Sequence, residues 1–544
     1  LAVEHDPAAV ADAVRQLFAT RGTEAVAPAL QGAYNFVGAN EQWGLRAFTS
    51  FSGLFPLYWQ QTDGVTVVSN RSTTVRAVLD NAGWSPSALA WVIGHANLFF
   101  DEMPAAGVSY LRPGMELRVN LADGRSTLVR AHDWIWPAPS EDPARADLSD
   151  DEWDEITQAL IANFRVLGSY DARLMLSGGK DSRLCLALAK AAGLADRLRT
   201  VTTGPPNNAE ALCAAEVARR AGFEHKHAGQ VTETGPKVVD DDAMRTAVLN
   251  ARQWRLYRQH VHRYEAIVCP ADGLTPEARD TVLSIKGFGG ELYRGPGGHA
   301  KKFGKTDVES LQQMADMFVN YHQPHDPLGV LVPDVATAQA EQLRAWVYDT
   351  AAEIRFDLLP EKFFVDYRLG HWNGPLGQYT PGDIKINPLL SARAAQLCLS
   401  LSKHARSMDL LHFQVMRRTA PELLGVPIVN QAWHPALQEL SPVLLPAEPW
   451  PAEVRVNART LKPRRWAFLT EERDAVRALF EDAHETQMRE IVDFGALLAS
   501  IDDPASLSNV ATKEILSNIA VALILLRRGV PVLDRIAPEP ESVT

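Results

Sequence analysis

The sequence RLMLSGGKDSRLCLALAKAAGL occupies residues 173–194 and contains the most specific pattern in the chain. Arg173–Leu176 is a short apolar run typical of a buried strand, and the two glycines that follow cannot continue it. From about Ser182, leucines and alanines recur at helical spacing as far as Gly193, a residue type common at helix ends. The pattern predicts a strand, a glycine turn and a helix in immediate succession.

The turn between this strand and this helix has the composition of a phosphate site. Ser177, Gly178 and Gly179 let the backbone come close to a ligand, and Ser182 adds a second hydroxyl. Free amides at a helix N-terminus attract anions. Asp181 would repel a phosphate unless a cation such as Mg²⁺ lies between them. The stretch has neither the Walker pattern GxxxxGK[ST] nor the dinucleotide pattern GxGxxG.

Alternating strands and helices surround this unit. Short apolar strands are predicted at Arg199–Thr203 and Val282–Ile285, and the helix after the first of them is predicted to end at Gly222. Such alternation predicts a parallel sheet with helices on both faces. A further helix is predicted to begin at Ser149, because Glu152 three residues later completes a capping box.

Residues 30–135 have a different pattern, with β-branched segments separated by turns. Strands are predicted at Gly64–Asn70 and across Met115–Trp134, the second with an Asp-Gly turn. A helix is predicted before them at Pro7–Thr20, and an interdomain linker rich in Pro, Ser and Asp after them at Pro137–Asp151. The chain therefore divides into a β-rich first part and a helix-rich second part.

Composition limits the classes of function. The chain has 544 residues, enough for two or three domains, and its formal net charge of -12 argues against a dedicated nucleic-acid binder. Its four cysteines lie far apart, as is typical of a reducing compartment, so we expect a cytoplasmic protein. The longest apolar run, Ile519–Leu526, is too short to cross a membrane.

SGGKDS resembles the PP-loop signature SGGxDS of ATP pyrophosphatases, and other segments resemble the asparagine synthetase group, which includes β-lactam synthetase and lasso-peptide cyclases. Leu30–Gln60 is similar to the glutaminase-type sandwich of that group. The resemblance implies an α+β first domain over residues 1–140, a degenerate glutaminase-like (Ntn-type) β-rich sandwich. It implies a second domain over residues 150–544, an α/β PP-loop synthetase domain rich in helices.

The resemblance also implies nucleotide and metal ligands. Thr200–Lys226 looks like the segment that holds adenine and ribose, and Leu283–Gly295 looks like a second glycine loop. An acidic residue of that loop, here Glu291, is expected to hold Mg²⁺ together with Asp181. The residues expected to bind ATP are Ser177, Gly178, Gly179, Asp181, Ser182, Thr202, Thr203, Gly204, Gly287 and Gly289.

The acceptor side of the site is assigned more loosely. Asn387–Leu390 is similar to a segment beside the acceptor site of the group, and a plain turn into a buried helix explains it equally well. Trp372 and Trp433 are candidates for lining the same pocket, although most tryptophans belong to a protein core.

The chain departs from the group at three places. It starts with Leu1 where a glutaminase needs a nucleophilic cysteine, so we expect no release of ammonia from glutamine. Phe288 stands where the group has a proton acceptor, which leaves the base for the amine open; an amine of low pKa would not need a strong one. The pyrophosphate-binding lysines of the group are missing. The catalytic residues expected in their place are Lys180, Arg294 and Lys385, with Lys462 as a further candidate.

These features together imply an ATP-dependent ligase, dependent on Mg²⁺, that forms an amide in specialised metabolism. A carboxylate substrate would attack the α-phosphate of ATP and release pyrophosphate, and an amine co-substrate would then displace AMP. Two alternatives stay open: a lasso-type macrolactam cyclase acting on a peptide, and an inactive ATP-binding scaffold or regulatory homologue. No nucleic-acid or membrane partner is expected, and a homodimer stays open.

Overall fold

The computed structural model describes most of the chain in segments. They are residues 7–30, 32–79, 83–95, 97–131, 135–139, 144–167, 171–203, 206–228, 282–295, 308, 310–322, 326–373, 383–451, 468–471, 473–482, 487–503 and 505–528. Within them the protein mixes helices with three separate sheets, which confirms a fold of mixed α and β structure.

In the first part of the chain, the described residues form two antiparallel sheets and four helices. In chain order its elements are α1 (Pro7–Arg21), α2 (Thr23–Ala29), β1 (Asn35–Asn40), β2 (Gly44–Thr49), β3 (Tyr58–Thr62), β4 (Val65–Ser69), α3 (Ser72–Val78), α4 (Pro86–His95), β5 (Ser109–Tyr110), β6 (Met115–Val119) and β7 (Ser126–Arg130). One sheet has the order β1-β2-β6-β7 and the other the order β4-β3-β5. The helix predicted at the start is confirmed, and the predicted ranges 64–70 and 115–134 contain β4, β6 and β7. Residues 132–134 of the second range lie outside the described residues.

The two antiparallel sheets share an apolar core. Ala47 of β2 and Leu117 of β6 belong to the same cluster as Trp59 of β3 and Val68 of β4. Alternate residues of a strand point to opposite faces, and here helices cover the other face of each sheet. Phe48 of β2 packs with Phe18 of α1, and Tyr58 of β3 packs with Val92 of α4. This arrangement is compatible with the sandwich that the sequence predicts.

The second part contains a five-stranded parallel sheet. Its elements are α5 (Asp150–Arg165), β8 (Ala172–Met175), α6 (Lys180–Ala191), β9 (Leu198–Thr203), α7 (Ala209–Ala221), β10 (His225–Ala228), β11 (Val282–Ile285) and β12 (Asp383–Ile386). All neighbouring strands are parallel, in the order β10-β9-β8-β11-β12. The strands and helices predicted from residue 149 to Gly222 are therefore confirmed.

The order of these strands identifies the place where a ligand would bind. From β8 the chain adds strands on one side, through β9 to β10, and then returns to add β11 and β12 on the other side. The direction of winding therefore reverses between β8 and β11. In open sheets of this kind, ligands bind outside the carboxyl ends of the strands at such a reversal.

The described segments contain further helices, of which those from residue 468 onward share an apolar core with α4. They are α8 (Leu311–His322), α9 (Pro333–Ala351), α10 (Leu359–Phe363), a π-helix (Phe364–Asn373), α11 (Ala392–Ser400), α12 (Lys403–Ser407), α13 (Leu410–Thr419), α14 (Phe468–Glu471), α15 (Arg473–Asp482), α16 (Phe494–Asp502) and α17 (Val510–Arg528). Short 3₁₀ turns lie at Gly290–Tyr293, Phe356–Leu358, Pro421–Leu423, Pro435–Leu440, Gln487–Glu490 and Ser506–Ser508. Among the helices of the described segments, none combines the length and apolar character that crossing a bilayer requires.

Helix α5 begins where the local sequence predicts. The Ser149 hydroxyl accepts from the amide of Glu152 at 3.3 Å, and the Glu152 carboxylate accepts from the amide of Ser149 at 2.8 Å. These two bonds satisfy amides that have no partner inside the helix. Trp153 and Leu160 of the same helix are buried in the main core, so the cap also sets which face of α5 is covered.

The first part of the chain packs onto the second part. Phe51 and Trp91 belong to the same apolar cluster as Trp153 of α5 and Phe363 of α10. The predicted linker is also packed, since the backbone of Arg145 exchanges hydrogen bonds with Ser400 and Ser402 at 3.0 and 2.7 Å. The division into residues 1–140 and 150–544 stays a prediction, because a shared core of this kind marks no boundary.

Candidate functional site

The first glycine loop, Ser177–Gly179, follows strand β8 and folds back on its own side chains. The amide of Ser177 donates to the Ser182 hydroxyl at 3.1 Å, the two hydroxyls are 3.0 Å apart, and the amide of Gly179 donates to the Ser177 hydroxyl at 3.2 Å. Helix α6 then begins at Lys180 with no side-chain cap from Gly179. The first amides of α6 therefore point into the loop, as an anion site requires.

Gly178 is enclosed by residues that lie far away in the sequence. Its amide donates to the Glu210 carboxylate at 2.6 Å, from the first turn of α7. A β-carbon at this position would lie 2.2 Å from Cγ2 of Val429, so no larger residue fits without movement. The Glu210 carboxylate therefore accepts a hydrogen bond from one of the loop amides that the sequence predicts to bind phosphate.

The second glycine loop follows strand β11 and lies directly against the first. A β-carbon on Gly287 would lie 2.7 Å from the amide nitrogen of Ser182 and 2.8 Å from the carbonyl carbon of Asp181. Gly289 has φ 103°, and a β-carbon there would lie 2.7 Å from Leu390. Glycine is needed at both positions, because one requires close backbone approach and the other a left-handed backbone.

Asp181 is bound by two basic side chains at the junction of these loops. Arg294 donates to its two oxygens through Nε at 3.2 Å and Nη2 at 2.7 Å, and Nε2 of His412 lies 2.8 Å from Oδ1. Burial favours the neutral acid, but the hydrogen bond of His412 and the charge of Arg294 outweigh it and lower the pKa of Asp181. Asp181 is thus an anion at neutral pH.

Lys180 does not point freely toward a phosphate. Its side chain is 2% exposed and its ammonium donates to a carboxylate oxygen of Asp409. The same ammonium lies 4.9 Å from the centre of the Trp433 ring, within cation–π range. Burial lowers the pKa of Lys180, and the Asp409 carboxylate opposes that shift. Trp433, predicted as an acceptor-pocket residue, therefore covers the lysine of the glycine loop.

Asp409 links the two cations of the site. It is the residue before helix α13, and it has φ 63°, in the left-handed region that side chains other than glycine seldom adopt. Its Oδ1 is 3.9 Å from Nε of Arg294, while its Oδ2 accepts from Lys180. Lys180, Asp409, Arg294 and Asp181 thus alternate in charge, and together with His412 they are called here the charge cluster.

Glu291 is the second carboxylate at this place. It is the second residue of the 3₁₀ turn Gly290–Tyr293, and the amide of Gly289 donates to Glu291 Oε2 at 3.0 Å. Burial and the negative charge of Asp181 raise the pKa of Glu291. No group of three or more His, Cys, Asp or Glu side chains in the described segments is arranged to hold a metal ion alone. Two neighbouring carboxylates fit Mg²⁺, which in nucleotide sites takes one or two protein oxygens and completes its shell with phosphate and water.

The predicted nucleotide residues of strand β9 divide into two kinds. Thr202 is buried, and its hydroxyl donates to the carbonyl of Leu176 at 2.7 Å, which anchors the start of the first loop. Thr203 is exposed at the carboxyl end of the strand, where it could meet a ligand. Gly204 lies outside the described residues.

Other predicted residues lie in the second loop, on strand β12 or outside the described part of the chain. Lys385 is within strand β12, opposite Ser284 of β11, so it belongs to the sheet edge and to neither glycine loop. Phe288 lies against Phe364 at the start of the π-helix, with ring centres 6.0 Å apart. The hydroxyl of Tyr293 donates to the carbonyl of Leu389, which fixes the predicted acceptor segment against the second loop. The side chain of Trp372 and Lys462 lie outside the described part.

Three site residues were missed by sequence reasoning. Asp409 is the residue before α13, His412 lies in the first turn of α13, and Glu210 lies in the first turn of α7. His412 did carry a signal, because it is a single polar ring in the apolar run Leu410–Met416. Asp409 and Glu210 look like ordinary acidic residues at helix starts.

Comparison with known proteins adds no name to this site. No protein-family model matches the chain, and no curated protein matches it. The function must therefore be inferred from the two glycine loops and the charge cluster.

Proposed function

We propose that the protein is an ATP-dependent ligase that activates a carboxylate as its acyl-adenylate and couples it to an amine. In the first step a carboxylate oxygen bonds to the α-phosphorus of ATP and pyrophosphate leaves. In the second step the amine nitrogen bonds to the acyl carbon, AMP leaves and the nitrogen loses a proton. The products are an amide, AMP and pyrophosphate.

One observation carries this proposal: the two glycine loops follow the two strands that flank the reversal of the sheet. SGGKDS comes after β8 and KGFGGE after β11, and Gly287 touches the backbone of Asp181 and Ser182. Loop amides, a helix N-terminus and two carboxylates converge there. This combination suits a metal-bound triphosphate better than an uncharged ligand.

The residues of the site have distinct proposed roles. The hydroxyls of Ser177 and Ser182 and the first amides of α6 would bind phosphate oxygens. Asp181 and Glu291 would hold Mg²⁺, which offsets negative charge on the leaving pyrophosphate. Lys180 and Arg294 would provide the remaining positive charge, in place of the lysines that the asparagine synthetase group has elsewhere.

The resemblance to the asparagine synthetase group supports a proposal for the whole chain. The two packed antiparallel sheets suit a degenerate glutaminase-like sandwich, and the parallel sheet suits a PP-loop synthetase domain. A lasso-type cyclase would use the same loops and differ in the size of its acceptor. The choice between a small acid and a peptide then depends on the acceptor side, near Leu389 and Phe288.

A second candidate is a protein that binds ATP without turning it over. Two observations favour it: Lys180 is already paired with Asp409, and the Gly178 amide is already paired with Glu210. In a working site both pairs must open or be bypassed when a nucleotide binds. The two candidates therefore differ in turnover and agree in nucleotide binding.

ATP–pyrophosphate exchange, measured against a panel of carboxylic acids, tests the ligase proposal. We expect exchange that depends on one class of acid and falls at least about a hundredfold in Asp181→Asn, because a metal ligand and its charge are lost. Asp334→Asn, an exposed aspartate in the first turn of α9, is the matched control and should retain full exchange.

Two results would overturn the ligase. Exchange that persists in Asp181→Asn would show that the assigned site is not responsible. Tight ATP binding by calorimetry with no exchange for any acid, including the C-terminal carboxylates of peptides, would favour the binding protein.

A further inference from the structure

Arg294 makes a two-point contact with Asp181 in the candidate site. Its Nε and Nη2 donate to the two different oxygens of the carboxylate, at 3.2 and 2.7 Å. Such paired bonds between a guanidinium and a carboxylate are both strong and directional. A cation approaching Asp181 from this side must therefore displace Arg294.

Arg294 also has a second carboxylate within reach. Oδ1 of Asp409 is 3.9 Å from its Nε, so the guanidinium lies between two anions. Burial opposes its charge, but the carboxylate of Asp181 outweighs this and raises the pKa of Arg294, which stays a cation. If Arg294 moved away from Asp181, its guanidinium would still lie near the Asp409 carboxylate, so its buried charge would keep an anionic partner.

His412 holds Asp181 from the other direction. It is fully buried, and its Nε2 lies 2.8 Å from Asp181 Oδ1. Gly290 leaves space for this arrangement, since a β-carbon there would lie 2.3 Å from the same oxygen and 3.1 Å from His412 Nε2. The carboxylate would therefore keep its place when Arg294 moves.

We propose that Arg294 is an internal counter-ion that occupies the metal position on Asp181 until a metal–triphosphate complex binds. Arg294 then turns to the triphosphate while the metal takes its place on Asp181. The inference rests on the proposed nucleotide site but not on the chemistry that follows. Its consequence is that metal and triphosphate bind as one unit, and that a divalent ion alone binds weakly.

Titration with Mn²⁺ in the absence of nucleotide tests this exchange, using calorimetry or electron paramagnetic resonance of the full chain. Arg294→Met should bind Mn²⁺ at least about tenfold more tightly than the wild type, because a charge-assisted pair no longer competes. Arg393→Met is the matched control, since Arg393 makes an equally paired contact with the exposed Glu155 and should not change Mn²⁺ affinity.

The ion that binds must also be placed at Asp181. The double variant Asp181→Asn with Arg294→Met should lose the gain in Mn²⁺ affinity. Equal affinity in wild type and Arg294→Met would overturn the proposal, and so would a double variant that binds as tightly as Arg294→Met.

A second measurement on the wild type covers the case in which Arg294→Met does not fold. In the presence of inorganic triphosphate, the wild type should bind Mn²⁺ at least about tenfold more tightly than it does without triphosphate. The Mn²⁺ that triphosphate binds in solution is subtracted in this comparison. No gain would overturn the proposal. If these metal results are obtained but no pyrophosphate exchange is detected, the ligase proposal fails and the counter-ion proposal stands. The two failures are therefore distinguishable.

Discussion

Two buried lysine–aspartate pairs in this protein have the same chemistry and different settings. Lys180 pairs with Asp409 in the candidate site, and Lys362 pairs with Asp366 at 2.7 Å between α10 and the π-helix. Both lysines are almost fully buried, with 2% and 4% of their side chains exposed. Buried charge alone therefore does not mark a functional site.

Location and backbone conformation separate the two pairs. Lys362 and Asp366 are four residues apart, so a continuous helical segment brings them together. Lys180 and Asp409 are 229 residues apart, and Asp409 has a left-handed backbone. The first pair belongs to the core, whereas the second is at the carboxyl ends of the parallel strands, where a ligand can compete for it.

The largest expected effect is on stability, at the pair in the core. Lys362→Met should lower the free energy of unfolding by about 3–5 kcal/mol, because the Asp366 carboxylate loses its ammonium partner in the core. Denaturant unfolding measures this loss, and ATP binding by the folded fraction should not change. The double variant Lys362→Met with Asp366→Leu should recover much of the loss. If Lys362→Met is as stable as the wild type, the pair in the core does not contribute to stability and the comparison between the two pairs fails.

Removal of the other lysine should mainly affect binding. Lys180→Met should lower the free energy of unfolding by a smaller amount, about 1–3 kcal/mol, because Arg294 is 3.9 Å from Asp409 and can replace the ammonium. Nucleotide affinity, measured by calorimetry, should fall at least about tenfold because a phosphate-binding cation is lost. Unchanged nucleotide affinity would mean that Lys180, like Lys362, has only a structural role.

The strained backbone of Asp409 predicts a smaller difference. Asp409→Ala and Asp409→Gly both remove the carboxylate, but the glycine variant should be more stable by about 1 kcal/mol, because alanine is strained at φ 63°. Thermal unfolding measures the difference. Asp63, exposed in a hairpin turn with φ 44°, is the matched control, where the same two changes should leave nucleotide binding unaffected. An alanine variant as stable as the glycine variant would mean that no strain is stored here.

The smallest effect concerns a charge pair at the surface of α5. Hydrogen bonds from Arg145, at 2.7 and 2.6 Å, lower the pKa of Glu152 to about 2. A lowered pKa in the folded chain means that the contribution is present above about pH 4.5 and is lost as the pH falls toward 2.

Glu152→Gln keeps a residue type suited to the capping box and removes the charge. It should cost below about 1 kcal/mol of unfolding free energy at neutral pH, since the pair is partly solvated. Urea unfolding at a series of pH values should show this difference vanish in acid. A difference that does not vary with pH would assign the effect to packing.

Much of the fold follows from local sequence. Ser149 and Glu152 start α5 as predicted, because a capping box needs only residues three apart. Strand β8, its glycine loop and α6 also follow from their own residues, with the helix starting at Lys180, two residues before the predicted Ser182. The same holds for Gly222, whose φ of 82° ends α7.

The partners of the predicted residues did not follow from the sequence. The residues next to Lys180 in the sequence predict that it contacts phosphate. Its ammonium instead donates to Asp409, more than two hundred residues away. Arg294 is expected in place of a pyrophosphate-binding lysine, yet its guanidinium donates to the carboxylate of Asp181. Such pairings depend on which loops meet when the parallel sheet assembles.

Local sequence predicts the strands and helices from residue 149 to Gly222, the two glycine loops and the residue types that can bind a phosphate and a metal. These features depend on hydrophobic periodicity, capping and the backbone freedom of glycine, which act within a few residues. The contacts of Asp181 with Arg294 and His412, and of Lys180 with Asp409, depend instead on how distant segments of the chain pack together. Charge pairing acts through space over a few ångströms, and separation along the sequence does not reveal which groups come that close.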